Sequence, residues 1–260
     1  MKYLAMIQAR CNSTRLPNKV LKTLCGKPQL QRVIERVARS KYVDEVMVIT
    51  SVEKANLPIL KLCAEIGIRV GIGSEDDVLD RYYQTAKLLQ PEYVIRITGD
   101  CPCIDYDIID DMILWTNSNK AIDYCSNTIT EDMADGLDVE IIKFAALEKA
   151  WREAVHSFER EHMTQYILRR PEIFHISDYA SPIGYFGEHR WTVDEPEDFA
   201  LVENIYDYFL NEMRQEDFTY RDILEFLNSH PEIKRINQSY QRNEGLKKSI
   251  EEDYIIAPGC

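Results

Sequence analysis

Apolar and polar residues alternate with two different periods in the first half of the chain. Short apolar runs bounded by polar turns lie at residues 3–7, 46–50, 69–72 and 93–97, and this pattern is typical of buried β-strands. Between them, apolar residues recur at helical spacing around residues 30–37, 55–66 and 78–89. Alternating strands and helices predict an α/β fold with a mostly parallel sheet, covered on both faces and joined by right-handed crossovers.

The order of elements changes in the second half. A helix is predicted at residues 105–116, followed by strands at 123–126 and 137–142 around a polar loop, which indicates a small antiparallel extension of the sheet or a dimer arm. Further helices are predicted at 144–154, 159–169, 196–209 and 220–227, and one more strand at 190–193. We predict one domain at residues 1–236 and a polar C-terminal tail at residues 237–260.

Composition excludes several classes of protein. No apolar run is long enough for a membrane span or a signal peptide, and seven cysteines without a CxxC pair are typical of reduced thiols. We therefore expect a cytoplasmic protein. The net charge of −13 disfavours nucleic acid and anionic membranes as partners.

The positive charge is concentrated near the N-terminus. The first 41 residues hold ten Lys and Arg residues against one acid, Glu35, and a local positive region in an acidic protein indicates an anion site. The Arg residues at 32, 36 and 39 also suit the solvent face of a helix. Arg10, Arg15 and Lys19 do not, because they lie in the loop after the first predicted strand.

That loop has the sequence QARCNSTRLPNK at residues 8–19. It follows the carboxyl end of a strand, where open α/β sheets bind ligands. Its three cations and two hydroxyls suit phosphate oxygens, since guanidinium groups offer forked donors and Lys offers a compact charge. The loop matches neither a Walker A sequence nor GxGxxG, which disfavours a P-loop ATPase and a dinucleotide oxidoreductase. We predict a triphosphate site.

Two aspartates that follow predicted strands are candidates for holding a divalent cation. Asp100 lies in ITGDCP at residues 97–102, where Gly99 permits an unusual backbone turn, and Asp194 lies in TVDEPED at residues 192–198. Magnesium binds one or two carboxylates together with phosphate oxygens, so this pair would complete a site. Each aspartate alone also suits a helix N-cap. Both interpretations stay open from the sequence.

Three further residues are candidates for contacts with a second substrate. Asp138 and Glu140 alternate with apolar neighbours on a predicted strand, so both carboxylates point to one face, where they could hold hydroxyls or an amine. A solvated strand face is the alternative. His162, in the predicted helix at 159–169, is a candidate as well, against a structural or solvated histidine.

Ordered motifs run through nearly the whole chain. They are residues 7–28, GSEDDVLDRYY at 73–83, ITGDCP at 97–102, DGLDVE at 135–140, TVDEPED at 192–198 and RNEG at 242–245. Together they resemble the spore-coat polysaccharide cytidylyltransferase-like family, which is similar in turn to the CMP-Kdo and CMP-sialate synthetases.

The resemblance implies a Rossmann-like, three-layer nucleotidyltransferase fold, CTP as donor, magnesium as cofactor and a homodimer. It gives catalytic roles to Arg15, Lys19 and Asp100, and a magnesium site to Asp100 and Asp194. Asp138, Glu140 and His162 would contact the acceptor. The residues that would contact the nucleotide are Ala9, Arg10, Ser13, Gly73, Ser74, Arg81 and Thr98.

The predicted function is transfer of CMP from CTP to a small acidic sugar, phosphonate or related acceptor, with release of pyrophosphate, in the synthesis of activated precursors for surface polysaccharide. Such in-line transfer needs positioning and charge stabilisation rather than a protein nucleophile. Two alternatives remain open. One is a nucleotide-sugar-dependent glycosyltransferase, for which Asp105 and Asp107 match the letters of a metal-binding DxD sequence. The other is a non-catalytic nucleotide-binding protein.

Overall fold

The fold is built on a seven-stranded sheet in the order β5-β4-β1-β6-β8-β7-β9, with a separate β2–β3 hairpin. A computed structural model describes residues 1–240, 242 and 249–255. The strands are β1 (Tyr3–Gln8), β2 (Thr23–Leu24), β3 (Lys27–Pro28), β4 (Glu45–Ser51), β5 (Arg69–Gly73), β6 (Tyr93–Thr98), β7 (Tyr124–Ser126), β8 (Glu140–Lys143) and β9 (Ile176–Asp178).

Helices lie on both sides of this sheet. They are α1 (Gln29–Val37), α2 (Leu57–Glu65), α3 (Val78–Leu89), α4 (Tyr106–Ser118), α5 (Phe144–Glu153), α6 (Ser157–Glu161), α7 (Gln165–Leu168), α8 (Pro196–Asp207), α9 (Tyr220–Ser229) and α10 (Pro231–Lys234). Short 3₁₀ turns at Lys19–Leu21 and Lys54–Asn56 and a π-helical turn at Tyr208–Glu212 complete the described elements.

The two faces of the sheet carry two apolar cores, which makes the fold three-layered. Alternate residues of β1 divide between them: Ala5 and Ile7 pack with α1, α4, α8 and α9 on one face, and Leu4 and Met6 pack with α3, α5 and α7 on the other. This division follows from the two-residue period of a strand. The strand is buried on both faces, so its sequence is a continuous apolar run.

The sheet is mostly parallel, as predicted. Pairings β4–β5, β1–β4, β1–β6 and β7–β9 are parallel, whereas β8 is antiparallel to both of its neighbours, β6 and β7. The predicted strands and helices of the first 116 residues occur within two residues of their expected bounds. Strong periodicity therefore located the elements correctly in this half.

Two predicted elements are wrong. Residues 190–193 form no strand: they are buried, but they make a single bridge, from Arg190 to Asp135, since no neighbouring strand continues the ladder. The predicted helix at 159–169 is two short helices, α6 and α7, because the backbone leaves the helical region at His162 (φ −100°, ψ 76°). The β2–β3 hairpin, β9 and α10 are too short to give a periodic signal.

The C-terminal segment packs against the rest of the chain where it is described. Asn237 is buried, and its side chain donates to the Arg190 carbonyl and to Asp198, while Ser157 and Tyr254 exchange hydrogen bonds beside α6. The predicted domain boundary at residue 236 stays a prediction. Within the described residues, no helix is long and apolar enough to cross a membrane.

Gly136, in the segment before β8, packs closely against the backbone of residues 191–192. Gly136 has φ +109°, and a Cβ there would lie 2.4 Å from the Thr192 nitrogen and 2.6 Å from the Trp191 carbonyl carbon. We expect Gly136→Ala to lower the free energy of unfolding by at least about 2 kcal/mol, through both the backbone conformation and the clash. Urea unfolding measures the change.

Gly184 is the matched control, since it has φ +89° but open space around its Cβ position. Gly184→Ala should cost about 1 kcal/mol through the backbone conformation alone. Equal losses for the two variants would show that close packing at Gly136 contributes nothing.

Candidate active site

The candidate site lies where the strand order of the sheet reverses. The chain leaves β1 for β4 on one side, and β6 pairs with β1 on the other, which is the crevice where open α/β sheets bind ligands. Gly99, directly after β6, allows the two loops to approach, because a Cβ there would lie 3.1 Å from both the Ala9 Cβ and the Gln8 carbonyl oxygen.

A buried lysine joins the two candidate metal-binding aspartates. The Lys19 ammonium lies 2.8 Å from Asp100 Oδ2 and 2.7 Å from Asp194 Oδ1. Burial alone would lower the pKa of Lys19, but the two carboxylates raise it above its ordinary value. Burial likewise opposes ionisation of Asp100, yet Lys19 holds the pKa of that carboxyl well below its usual range. Lys19 and Asp100 are therefore both charged at neutral pH.

Other residues form the helix caps that were the alternative roles of Asp100 and Asp194. Asp105 caps α4 by accepting from the backbone of residues 107 and 108, and Glu195 forms a capping box with Asp198 at α8. The N-cap interpretation of Asp100 and Asp194 is therefore wrong. Their carboxylates are available to pair with Lys19.

Arg190 holds the Asp194 segment in place. Its guanidinium lies 2.6 Å from Asp135, 2.9 Å from Asp194 and 3.0 Å from Asp198, and the backbone nitrogen of Val193 donates to the Asp100 carbonyl at 2.8 Å. Burial opposes the charge of Arg190, but its hydrogen bond to Asp198 and the nearby carboxylates raise its pKa. The two aspartate loops are thus connected through both backbone and side chains.

A first cavity of about 540 Å³ opens beside these residues. Seven predicted site residues line it: Arg15, Thr98, Asp100, Asp138, Glu140, His162 and Asp194. The structure therefore brings all three acceptor candidates into one cavity with both metal candidates. Thr98 lines this cavity as well, although the resemblance implied that it contacts the nucleotide.

Two of the acceptor candidates, Glu140 and Asp138, each lie beside an arginine. Arg96 of β6 pairs with Glu140, and Arg242 lies 3.6 Å from Asp138 and 3.7 Å from Asp135. Burial and the neighbouring Asp135 raise the pKa of Asp138 to about 7, more than Arg242 lowers it.

His162 has a different partner. Its Nε2 lies 3.0 Å from the Ser249 hydroxyl. Burial lowers the pKa of His162, an effect that Glu161 only partly offsets, so the imidazole is neutral at pH 7.

A second cavity, of about 640 Å³, is lined by Arg10 and Ser74, two of the predicted nucleotide contacts, and by Arg15, a predicted catalytic residue. Arg15 lines both cavities and lies 3.0 Å from Asp194. Arg10 lies 3.5 Å from Glu75 in the loop after β5. The N-terminal loop thus borders the second cavity with its two arginines.

Five predicted residues line neither cavity. Lys19 is buried beneath the aspartates, Ala9 is buried, and the Ser13 hydroxyl accepts a hydrogen bond from Leu16 at 3.4 Å. Arg81 is buried as well and donates to the carbonyls of Ser74 and Glu75. Gly73 lies behind it, with its Cβ position 3.1 Å from Arg81 Cβ. These side chains can shape the loops around a ligand, and their direct contact with nucleotide stays a prediction.

The sequence prediction missed five charged residues that line the first cavity: Arg96, Glu131, Asp135, Arg190 and Arg242. The sequence held a signal for three of them. Arg96 is a charge inside an otherwise apolar strand, and Asp135 and Arg242 begin the motifs DGLDVE and RNEG. Arg190 lay in a predicted strand, and the sequence did not show that it would contact three carboxylates.

The donor set at Asp100 and Asp194 fits a hard divalent cation. Both carboxylates already hold one positive group, the Lys19 ammonium, between them, and hard cations prefer such oxygen ligands. Among the described residues, no group of three or more His, Cys, Asp or Glu side chains could hold a metal ion. The remaining ligands would have to come from phosphate oxygens and water.

Comparison with known proteins places the chain in a family. The sequence profile of the cytidylyltransferase family matches residues 4–236. The chain belongs to this cytidylyltransferase family. It is therefore a CTP-dependent nucleotidyltransferase, and the predicted enzyme class is confirmed.

Three relatives cover nearly the full length of this cytidylyltransferase. An uncharacterized protein of Methanocaldococcus jannaschii is 37% identical over 93% of the chain and 97% of its own length. The spore coat polysaccharide biosynthesis protein SpsF of Bacillus subtilis is 29% identical over 88% of the chain and 95% of its own. A cytidylyltransferase structure from Leptospira borgpetersenii is 31% identical with a TM-score of 0.86, covering 93% of this chain and all of that one. The predicted family and fold are confirmed.

Removal of the Arg190 charge should destabilise the enzyme. Arg190→Gln leaves Asp135, Asp194 and Asp198 facing one another without their shared cation, and Asp198 is fully buried. We expect a loss of about 3 kcal/mol or more in the free energy of unfolding, measured with urea. Arg69→Gln, which breaks an exposed pair with Glu45, should cost less than about 1 kcal/mol. Similar stabilities for the two variants would contradict a central role for Arg190.

Proposed function

We propose that this enzyme transfers CMP from CTP to a small acidic sugar, phosphonate or related acceptor and releases pyrophosphate. One observation supports this most strongly: two cavities share Arg15 and meet beside the Lys19–Asp100–Asp194 cluster. A donor in one cavity and an acceptor in the other would bring their reacting groups together at this cluster. Positioning of this kind is the main requirement of phosphoryl transfer.

CTP is assigned to the second cavity. Arg10, Arg15 and the hydroxyls of Thr14 and Ser74 line it, and forked guanidinium donors suit the oxygens of a triphosphate. The α-phosphate would then lie toward Arg15 and Lys19, at the side shared with the first cavity.

Magnesium is the proposed cofactor. Asp100 and Asp194 would hold it, and when bound it would neutralise charge on the phosphate oxygens and stabilise the leaving pyrophosphate. Arg15 lies 3.4 Å from Glu195 and 3.0 Å from Asp194, so its guanidinium is positioned to bind phosphate beside these carboxylates. Lys19 contributes a fixed positive charge at the same place.

The acceptor is assigned to the first cavity. Arg96 and Arg242 would bind its acidic group, and Asp138 and Glu140 would orient its hydroxyls.

In the reaction, an acceptor oxygen bonds to the α-phosphorus of CTP, the bond to pyrophosphate breaks, and the hydroxyl proton passes to the Asp138 carboxylate. The name of SpsF, a spore coat polysaccharide biosynthesis protein, supports a role in making activated precursors for surface polysaccharide.

The alternative functions have less support. Asp105 of the DxD match is buried, caps α4 and accepts from the Tyr220 nitrogen, so it is not placed as a metal ligand of a glycosyltransferase. A non-catalytic nucleotide-binding protein would not need acceptor residues and metal carboxylates in one cavity.

The homodimer and the cytoplasmic location stay predictions, and light scattering would distinguish a dimer from a monomer.

Pyrophosphate release tests the reaction. We expect release from CTP, and not from UTP, GTP or ATP, when magnesium and an acidic sugar are present. Asp100→Asn removes one proposed magnesium ligand while keeping the shape of the side chain, and should lower kcat at least about 100-fold.

Glu65→Gln is the control for this variant, since Glu65 is exposed at the end of α2, and it should keep wild-type turnover. Circular dichroism checks that both variants are folded. Wild-type turnover by folded Asp100→Asn would remove the metal assignment, and failure of every nucleotide with a broad acceptor panel would favour the non-catalytic alternative.

The pH profile tests the role of Asp138. Burial and Asp135 raise the pKa of this carboxyl to about 7, with Glu140 and Arg242 as its other charged neighbours. Below that pH the carboxyl is protonated and cannot accept a proton, so kcat/KM should rise with pH through about 7 and then level off. Asp138→Asn should lower kcat about 100-fold and abolish this rise. A variant that keeps both the rise and the rate would exclude Asp138 as the base.

A further inference from the structure

We propose that the C-terminal segment at residues 249–255 forms the outer wall of the nucleotide cavity, and that Tyr254 stacks on the base of the bound nucleotide. The proposal rests on the assignment of CTP to the second cavity. Ser249, Glu252 and Tyr254 line that cavity, although they lie more than 170 residues from Ser74 and the loop after β5.

The segment is attached to the start of α6 by a set of hydrogen bonds. Asp253 lies 2.7 Å from His156 Nδ1 and 3.0 Å from the Ser157 hydroxyl, and it accepts from the Phe158 nitrogen at 3.4 Å. The Ser157 nitrogen donates to the Tyr254 carbonyl at 2.9 Å, and the Tyr254 nitrogen donates to the Ser157 hydroxyl at 3.1 Å. Tyr254 is therefore fixed at both its own backbone groups and the preceding side chain.

The contacts also order the cavity from its phosphate end to Tyr254. Arg15 lies at Asp194, on the side shared with the first cavity. Arg10 pairs with Glu75, and Arg160 of α6 binds Asp77 two residues further along the same loop. Tyr254 docks on Ser157, three residues before Arg160. The tyrosine thus docks beside α6, whereas Asp100 and Asp194 line the first cavity.

The chemistry of the cavity wall favours stacking at this position. Within the part of the chain that the structure describes, Tyr254 is the one aromatic residue lining the cavity, and the other lining residues are charged or carry hydroxyls. Its side chain is largely exposed, at 66%. A nucleobase needs a flat apolar face, and aromatic side chains provide one for any base. A bound base would cover this exposed ring.

Calorimetric binding of CTP and of inorganic tripolyphosphate to the full-length chain separates base contacts from phosphate contacts. Tyr254→Ala should weaken CTP binding about 10-fold or more, as loss of one stacked aromatic does, and leave tripolyphosphate binding unchanged. Tyr254→Phe should keep the wild-type affinity for CTP, because it keeps the ring. Tyr42→Ala is the control, since Tyr42 is an exposed tyrosine that lines neither cavity, and it should bind both ligands as wild type does.

Asp253→Ala tests the attachment of the segment. It removes the three contacts to residues 156–158 and should weaken CTP binding in the same direction as Tyr254→Ala, again without effect on tripolyphosphate. Unchanged or tighter CTP binding by Tyr254→Ala would overturn the stacking role, as would an equal loss for tripolyphosphate. Absence of CTP binding by the wild-type chain would instead refute the proposed function itself.

Discussion

The site depends on one buried ammonium group that holds together three loops distant in sequence. Lys19 comes from the loop after β1, Asp100 follows β6, and Asp194 precedes α8. The two carboxylates both contact the Lys19 ammonium and would repel each other without it. Removal of a cation from a buried ion pair is strongly destabilising. Arg190 likewise balances the charges of Asp135, Asp194 and Asp198. The positions of the candidate metal-binding carboxylates are therefore set by charge balance as much as by apolar packing.

The sequence predicted the first half of the fold well for a physical reason. Strands buried on both faces are continuous apolar runs, and the helices between them have one strongly apolar side, so β1, β4, β5, β6 and α1 to α4 were all located. Residues 190–193 alternate polar and apolar side chains as strands often do. They form no strand, because their backbone contacts to Asp135 and Asp100 are isolated and no neighbouring strand continues them. Periodicity reports burial, and it cannot report whether a pairing partner exists.

The candidate site was predicted in part. The charge-rich loop at residues 8–19 and the aspartates after strands could be recognised because ligands bind at the carboxyl ends of strands. That Asp138, Glu140 and His162 share a cavity with these aspartates could not be derived from spacing, since they lie in other parts of the chain. Arg190 and Arg96 were missed because each guanidinium acts through the carboxylates it faces, and these come from other parts of the chain.

The break between α6 and α7 has a consequence for cooperativity between substrates. Glu161 lines the second cavity and His162, the next residue, lines the first cavity. The backbone at residues 161–162 thus contributes a side chain to each cavity. A ligand in one cavity that shifts this backbone would also change the shape of the other cavity. Thermodynamic linkage makes such coupling reciprocal: the factor by which one substrate alters the affinity of its partner must equal the factor in the opposite direction. In this fold, the helix break is the place where that factor would be set.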